Sequence, residues 1–255
     1  MNRIPVTLES PGLKMAKDKL YKKKEGLIGN FSFGKKTSEV FDDMLIRSVP
    51  FYTEIQRMIK ETATEFAQPN TNVYDLGCST AATFLYFKNS LPLDVTFIGV
   101  DSSQDMLDKA KDKLNKARLK QKVELICQDL NKGIVISNAS VVILNLTLQF
   151  IRPLYREKLI RSIAKGINPG GCLILVEKVL SLNSTINRLF IKFYYDFKKR
   201  NGYNQLEIAQ KREALENVLI PYHFDENKEL LLNNGFRGCD MFFRWYNFCG
   251  VVAIK

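Results

Sequence analysis

Residues 237–255, RGCDMFFRWYNFCGVVAIK, hold two β-rich runs, RGCDMFFRWYN and FCGVVAIK, with no helix between them. Two successive strands without a crossover must pair as a hairpin or lie close together. At least one strand of the sheet is therefore antiparallel.

Upstream the pattern is different. Short β-rich runs NVYDLG (72–77), VTFIGVD (95–101), VELICQD (123–129), SVVILNL (140–146) and CLILVEK (172–178) are separated by helical stretches. The runs are nearly continuous in apolar residues, as strands covered on both faces by crossover helices should be. Helices are expected at Thr80–Asn89, Ser103–Asn115 and Pro153–Ile167, the last stopped by NPGG. Residues 37–67, TSEVFDDMLIRSVPFYTEIQRMIKETATEFA, have helical apolar spacing interrupted at Val49 and Pro50, because proline disfavours helical geometry in the residue before it. Two N-terminal helices with a bend at Pro50 follow, within residues 30–70. The expected class is α/β: a doubly wound, Rossmann-like, mostly parallel sheet with a C-terminal antiparallel strand. That ending separates the fold of S-adenosylmethionine-dependent methyltransferases from a dehydrogenase Rossmann domain.

Composition sets outer limits. The chain has 255 residues, 45% of them hydrophobic, and a formal charge of +11. That suits one α/β domain over 30–255 with a helical lid or dimerisation insertion at 181–233. The charge admits nucleic acid, an anionic membrane or a small anionic substrate without choosing among them. Much of it lies in KMAKDKLYKKK, where Lys14, Lys17, Lys19, Lys22, Lys23 and Lys24 are expected to form a mobile, solvated arm within residues 1–29. An RNA-contacting arm is the other reading. No signal-peptide h-region and no bilayer-spanning stretch is evident, so a cytoplasmic protein without membrane contact is expected. The five cysteines have no CxxC or Cys/His spacing, which indicates neither a disulfide framework nor a zinc site. Four of them are expected to be core thiols in or beside strands.

Ligands of open α/β sheets bind beyond the carboxyl ends of the strands. The first strand ends in Asp75, Gly77, Cys78 and Ser79, and Gly77 permits a tight turn against a ligand. Ser79 and Ala82 stand where a GxGxxG fingerprint would have its other glycines, so a pyrophosphate cradle is disfavoured. The second strand ends GVDSS: Asp101 can accept both ribose hydroxyls, or cap the next helix, with Ser103 the preferred cap. Asp129, ending the third, can accept from an adenine amino group or form an Asx turn. Asn145, at the end of the fourth, interrupts an apolar run and needs a partner, since burying its amide unsatisfied costs about 1–3 kcal/mol. The only histidine, His223, lies between Tyr222 and Phe224 in an expected loop outside this cluster.

The stretches RSVPFY, VYDLGCS, LNLTLQF, INPGG, FKKRNGYNQLEIAQKREALENV and WYNFCGVVAIK resemble the motifs of the carboxy-S-adenosyl-L-methionine synthases, collinearly from about Asn30 to Lys255. The resemblance implies an enzyme that converts S-adenosyl-L-methionine and prephenate to carboxy-S-adenosyl-L-methionine and phenylpyruvate, without a metal. It implies that a partner enzyme uses the product on wobble uridines of tRNA, with no need for this chain to bind tRNA, and that the chain is a homodimer. Carried over by motif, it places nucleoside contacts at Tyr52, Gly77, Cys78, Ser79, Asp101, Ser102, Asp129, Leu130 and Asn145. It makes Arg212 the residue that grips the new carboxylate. Were residues 204–219 helical, Ile208, Arg212, Leu215 and Leu219 would share one stripe, and the arginine on it would need a carboxylate, from a ligand or from Glu216. TAATF replaces a loop that usually has a second glycine near Ala81, and Tyr194 and Tyr195 stand where histidines are common; they bear on prephenate or simply pack a lid. Two rivals stay open on the residues alone: an ordinary methyltransferase acting on RNA or a small molecule, and a non-catalytic RNA-binding protein using the lysine arm.

Overall fold

The computed structural model describes residues 16–24 and 26–255. Helices α1 (Lys35–Ser48) and α2 (Tyr52–Phe66) come first. Val49 is extended and Phe51 left-handed, which makes the expected bend at Pro50. The alternating part follows as β1 (Asn72–Leu76), α3 (Ala82–Tyr86), β2 (Thr96–Asp101), α4 (Gln104–Ala117), β3 (Lys122–Cys127), β4 (Ala139–Asn145), α5 (Pro153–Gly166) and β5 (Ile167–Leu180). Next come α6 (Ser184–Arg200), α7 (Gln205–Leu215), a two-residue β6 (Tyr222–His223) and α8 (Phe224–Leu232). The chain ends in β7 (Gly238–Trp245) and β8 (Phe248–Ile254).

The strands form one sheet in the order β3-β2-β1-β4-β5-β8-β7, with β6 paired to β5. β1 to β5 are parallel, and β8 is inserted antiparallel between β5 and β7. The hairpin read from residues 237–255 therefore completes a mostly parallel α/β sheet. Alternate residues feed two cores. Tyr74, Leu76, Val142, Leu144, Leu173 and Leu175 pack on α5 and α8, whereas Val73, Val141, Ile143, Cys172, Ile174 and Val176 pack on α2, α3 and α4. That period of two, buried on both sides, is why the runs read as continuously apolar.

Several elements differ from the sequence expectation. α3 is five residues long and starts at Ala82, because Ser79 and Ala81 sit in the left-handed region. α5 stops at Gly166, and NPGG belongs to β5 rather than to a separate stop. α7 ends at Leu215, so 204–219 is not one helix. Three cysteines are core thiols, Cys78, Cys172 and Cys249, rather than four. Cys127 is exposed at the end of edge strand β3, and Cys239 is half-buried on the opposite edge strand β7. His223 pairs in β6 and its Nδ1 lies 3.3 Å from the Leu180 carbonyl, so it is not in a loop.

The basic arm is docked where it is described. Asp18 is buried, its amide donates to Asp43 Oδ2 (2.7 Å) and its carboxylate accepts from the Tyr203 hydroxyl (2.6 Å). Gln210 donates to the carbonyls of Tyr21 and Lys23. Lys17, Lys19, Lys22, Lys23 and Lys24 remain exposed; Lys14 lies outside the described residues. Within 181–233, α8 buries Leu231 in the core beneath the sheet, so only α6 and α7 stand over the strand ends.

Gly166 is where α5 meets the loop before β4. A Cβ there would overlap the Ile136 carbonyl, whereas one at Gly238 would meet nothing within 4 Å. Gly166→Ala is expected to cost about 1–3 kcal/mol by overpacking, and Gly238→Ala less than about 0.5 kcal/mol. Urea unfolding of the two variants checks this, and equal midpoints would contradict the packing.

Candidate functional site

The order of the sheet reverses between β1 and β4, and beyond their carboxyl ends lies a cleft of about 570 Å³. All ten residues singled out in the sequence line it: Tyr52, Gly77, Cys78, Ser79, Asp101, Ser102, Asp129, Leu130, Asn145 and Arg212. A topological switch point is where open α/β sheets take ligands.

The turn after β1 is built around Gly77. Its φ is +84°, and a Cβ would run into the Thr147 side chain, so both conformation and space call for glycine. Its amide and that of Cys78 donate to the Val100 carbonyl, at 2.7 and 3.0 Å. The Asp101 carboxylate at the end of β2 then holds two loops at once. Oδ2 accepts from the Ser79 amide and Oδ1 from the Ser103 amide, both at 2.9 Å. The Ser102 amide also favours this carboxylate, and with about four lone-pair sites the group keeps acceptor capacity for a hydroxyl. Ser103 is the N-cap of α4, accepting from the Met106 amide, as expected. Its hydroxyl also donates to the Phe33 carbonyl at 2.6 Å, drawing the N-terminal segment over the site.

Asp129 forms the Asx turn weighed in the sequence, with Oδ1 accepting from the backbone and side-chain amides of Asn131. Its second oxygen has no hydrogen-bond partner among the described residues. Asn145 is the more telling group: its Oδ1 is fully buried and has no donor among the described residues. A buried carbonyl oxygen without a donor costs about 1–3 kcal/mol, so a ligand donor is the partner that the fold leaves room for. Tyr52 opens α2, and its hydroxyl accepts from Gln56 Nε2 at 2.9 Å.

Ionisation in the cleft is governed by burial. The Asp75 carboxyl is pushed up to about 7, first by desolvation, with the Thr83 hydroxyl pulling it down and Asp101 pushing it up. Asp101 is raised by burial against the pull of the Ser103, Ser79 and Ser102 amides. Burial also keeps the Cys78 thiol protonated. Among the described residues no group of three or more His, Cys, Asp or Glu could hold a metal ion.

Arg212 sits differently from the sequence reading. The buried face of α7 is Glu207, Ile208, Gln210, Lys211 and Ala214, centred one position before the expected stripe. Leu219 is beyond the helix, and Arg212 is exposed on its flank at the rim of the cleft. It forms no salt bridge among the described residues, so the alternative partner Glu216 does not hold it. The buried cation is Lys211, which the sequence reading passed over together with Lys178, Lys198 and Phe33, all lining the cleft. Lys178 carried a signal, a charge in the apolar run CLILVEK. Lys198 and Lys211 carried none, because KKR and QKRE read as solvated charge.

Residues 73–171 match the family model described as a methyltransferase domain. A carboxy-S-adenosyl-L-methionine synthase of Methylococcus capsulatus is 54% identical over 242 residues, covering 94% of this chain and 100% of that one. One of Actinobacillus succinogenes is 43% identical with the same coverages. Among solved structures, an O-methyltransferase family protein from Burkholderia thailandensis superposes with a TM-score of 0.63 at 15% identity, covering 88% of this chain and 64% of that one. That likeness is one of fold.

Lys198 provides a test of how the cleft is charged. Its pKa is held well below the ordinary lysine value by burial first, then by the charges of Lys211 and Lys178. A depressed folded-state lysine pKa means that its charge destabilises the fold until pH rises towards the unfolded value. Lys198→Met is therefore expected to be more stable than the parent at neutral pH, by about 1 kcal/mol or more. The difference is expected to close as pH approaches 10.5. Urea unfolding at pH 7 and pH 10 reads it, and a variant less stable than the parent at pH 7 would contradict it.

Proposed function

The chain belongs to the carboxy-S-adenosyl-L-methionine synthases, and from that premise we propose that it converts S-adenosyl-L-methionine and prephenate to carboxy-S-adenosyl-L-methionine and phenylpyruvate. It is an enzyme, a transferase, with S-adenosyl-L-methionine as substrate and the carboxylated nucleoside as product. Ordinary methyl transfer is not favoured, since relatives matched along their full length bear the synthase name. Prephenate rests on the family resemblance, as do the product's use as carboxymethyl donor for wobble uridines of tRNA and assembly as a homodimer. A further support for the dimer is α6, which exposes Ile186 and Leu189.

The observation that carries this reading is Arg212, a guanidinium without a salt bridge among the described residues at the rim of a cleft whose floor is polar strand ends. Its planar fork suits a carboxylate. S-adenosyl-L-methionine, when bound, supplies a sulfonium that makes the adjacent methyl hydrogens acidic. Asp101 would accept from ribose, Asp129 from adenine, and Asn145 would find its missing donor on the ligand. Tyr52, Gly77, Cys78, Ser79, Ser102 and Leu130 complete that wall. Prephenate would bring the other reactants: its ring carboxyl leaves as carbon dioxide and its hydroxyl as hydroxide as the ring becomes aromatic. A carbon–carbon bond forms at the methyl carbon, and the methyl proton leaves with hydroxide as water. The chain then has to position two reactants and exclude bulk water. Phe33, Phe41 and Phe150 give the cleft apolar walls suited to that.

Mass spectrometry of the protein with both substrates is expected to find the nucleoside heavier by the elements of carbon dioxide, together with phenylpyruvate. Arg212→Ala is expected to bind that product about 10-fold or more weakly, the loss of a charge-assisted pair, with S-adenosylhomocysteine affinity unchanged. S-adenosylhomocysteine with a methylated acceptor as sole products would refute the reading. Light scattering on the same sample is expected to give twice the chain mass, and a monomer would remove the dimer.

A further inference from the structure

A second group of charges lines the cleft. Lys178 is carried by β5, Lys198 by α6 and Lys211 by α7. The ammonium groups of Lys178 and Lys198 lie 4.6 and 5.0 Å from the centroid of one ring, that of Tyr194. They are therefore no farther apart than those two distances laid end to end. Lys211 reaches Ser48 Oγ at 3.4 Å and Asp18 Oδ2 at 4.0 Å. Lys198 and Lys211 are only 5% and 6% exposed.

Carboxylates of the described residues do not balance this group. Asp18 faces it, while also taking the hydrogen bond from Tyr203. Glu177, beside Lys178 in sequence, turns to the amides of Leu148 and Gln149 at 2.9 and 2.8 Å. Asp196 pairs with Lys199 at 3.5 Å. Lys198 has no ion pair among the described residues. Burial brings Lys178 and Lys211 down to about 8, with Lys178 also repelling Lys211.

The fold has no use for such a cluster, since apolar side chains would fill the space at lower cost. A bound anion would relieve it. Three lysines against one carboxylate among the described residues leave the group able to carry up to two positive charges in excess, which suits a dianion. The Tyr194 ring under two of them lines the same cleft and adds apolar surface for the body of that dianion. The burial of Lys198 and Lys211 suits a small molecule rather than an RNA backbone or a lipid surface.

We propose that Lys178 and Lys198, both over the Tyr194 ring, form together with Lys211 in the same cleft the subsite that holds the two carboxylates of the carboxyl-donating co-substrate, leaving Arg212 for the carboxylate that appears on the product. The assignment rests on the synthase reading and gives Tyr194 a binding role rather than one of lid packing alone. It also separates the two reactants by charge: the acids and the asparagine of the strand ends take the nucleoside, and the lysines take its anionic partner.

Calorimetric titration of prephenate into the full-length protein saturated with S-adenosylhomocysteine reads this subsite without asking for turnover. The parent is expected to bind, and Lys178→Met and Lys198→Met each to bind about 10-fold or more weakly, the loss of one charge-assisted contact. Lys198→Arg keeps most of the affinity, and S-adenosylhomocysteine affinity stays unchanged throughout. Unfolding midpoints at or above the parent's show that the fold is intact; Lys178→Gln and Lys198→Gln serve where a methionine variant does not fold. Unchanged prephenate affinity in the variants, or no prephenate binding by the parent, overturns the subsite. Binding as expected without any carboxylated nucleoside formed would leave the subsite standing and refute the synthase reading.

Discussion

The site depends on one carboxylate. Asp101 ends β2 and accepts the amides of Ser79 and Ser103 on its two oxygens, so it fixes the turn after β1 and the first turn of α4 together. Ser103 passes the constraint on to the Phe33 carbonyl. Asp42 adds another tie, accepting from Thr80 and from Lys113 of α4, so that α1 is clamped to the same turn. Under this restraint Ser79 and Ala81 take left-handed backbone conformations at φ 48° and 57°, a cost of roughly 1–2 kcal/mol each for residues with a Cβ. The result is a turn with one glycine that nevertheless closes tightly against the cleft.

The cleft concentrates what folding alone would avoid. Asn145 keeps a buried oxygen without a donor among the described residues, the Asp101 carboxylate adds to the burial that holds the Asp75 carboxyl up, and three lysines line one small cleft. Each departs from the rule that buried polar groups are paired. The rest of the molecule can carry these costs because the sheet is packed on both faces, with strand residues such as Val141, Val142, Ile143 and Leu144 wholly buried. Destabilising features gathered at one site are how function departs from stability.

Much of this was legible in the sequence. The alternation of runs with helices gave the parallel sheet, and residues 237–255 gave the antiparallel strand that completes it. The strand-end residues Asp101, Asp129 and Asn145 were found because apolar runs make a polar ending conspicuous. Arg212 was placed on the wrong face because the stripe assumed a helix to Leu219, whereas α7 ends at Leu215 and its buried face is set by long-range packing against Phe31 and Phe41 through Ala214. Lys198 and Lys211 were invisible for a related reason. A lysine in a charged stretch reads as solvated, and only the docking of α6 and α7 over the strand ends buries these two. The docking of residues 16–24 was equally hidden, since it turns on one acid, Asp18, among many lysines.

The central claim is that the strand-end cleft is a nucleoside site whose unpaired groups are completed by the ligand. A crystal structure with bound carboxy-S-adenosyl-L-methionine tests it most directly. The account predicts a ligand donor within hydrogen-bond distance of Asn145 Oδ1, ribose hydroxyls on Asp101 and the new carboxylate on Arg212. A nucleoside bound elsewhere, or Asn145 turned away to a protein donor with the ligand in place, would contradict it.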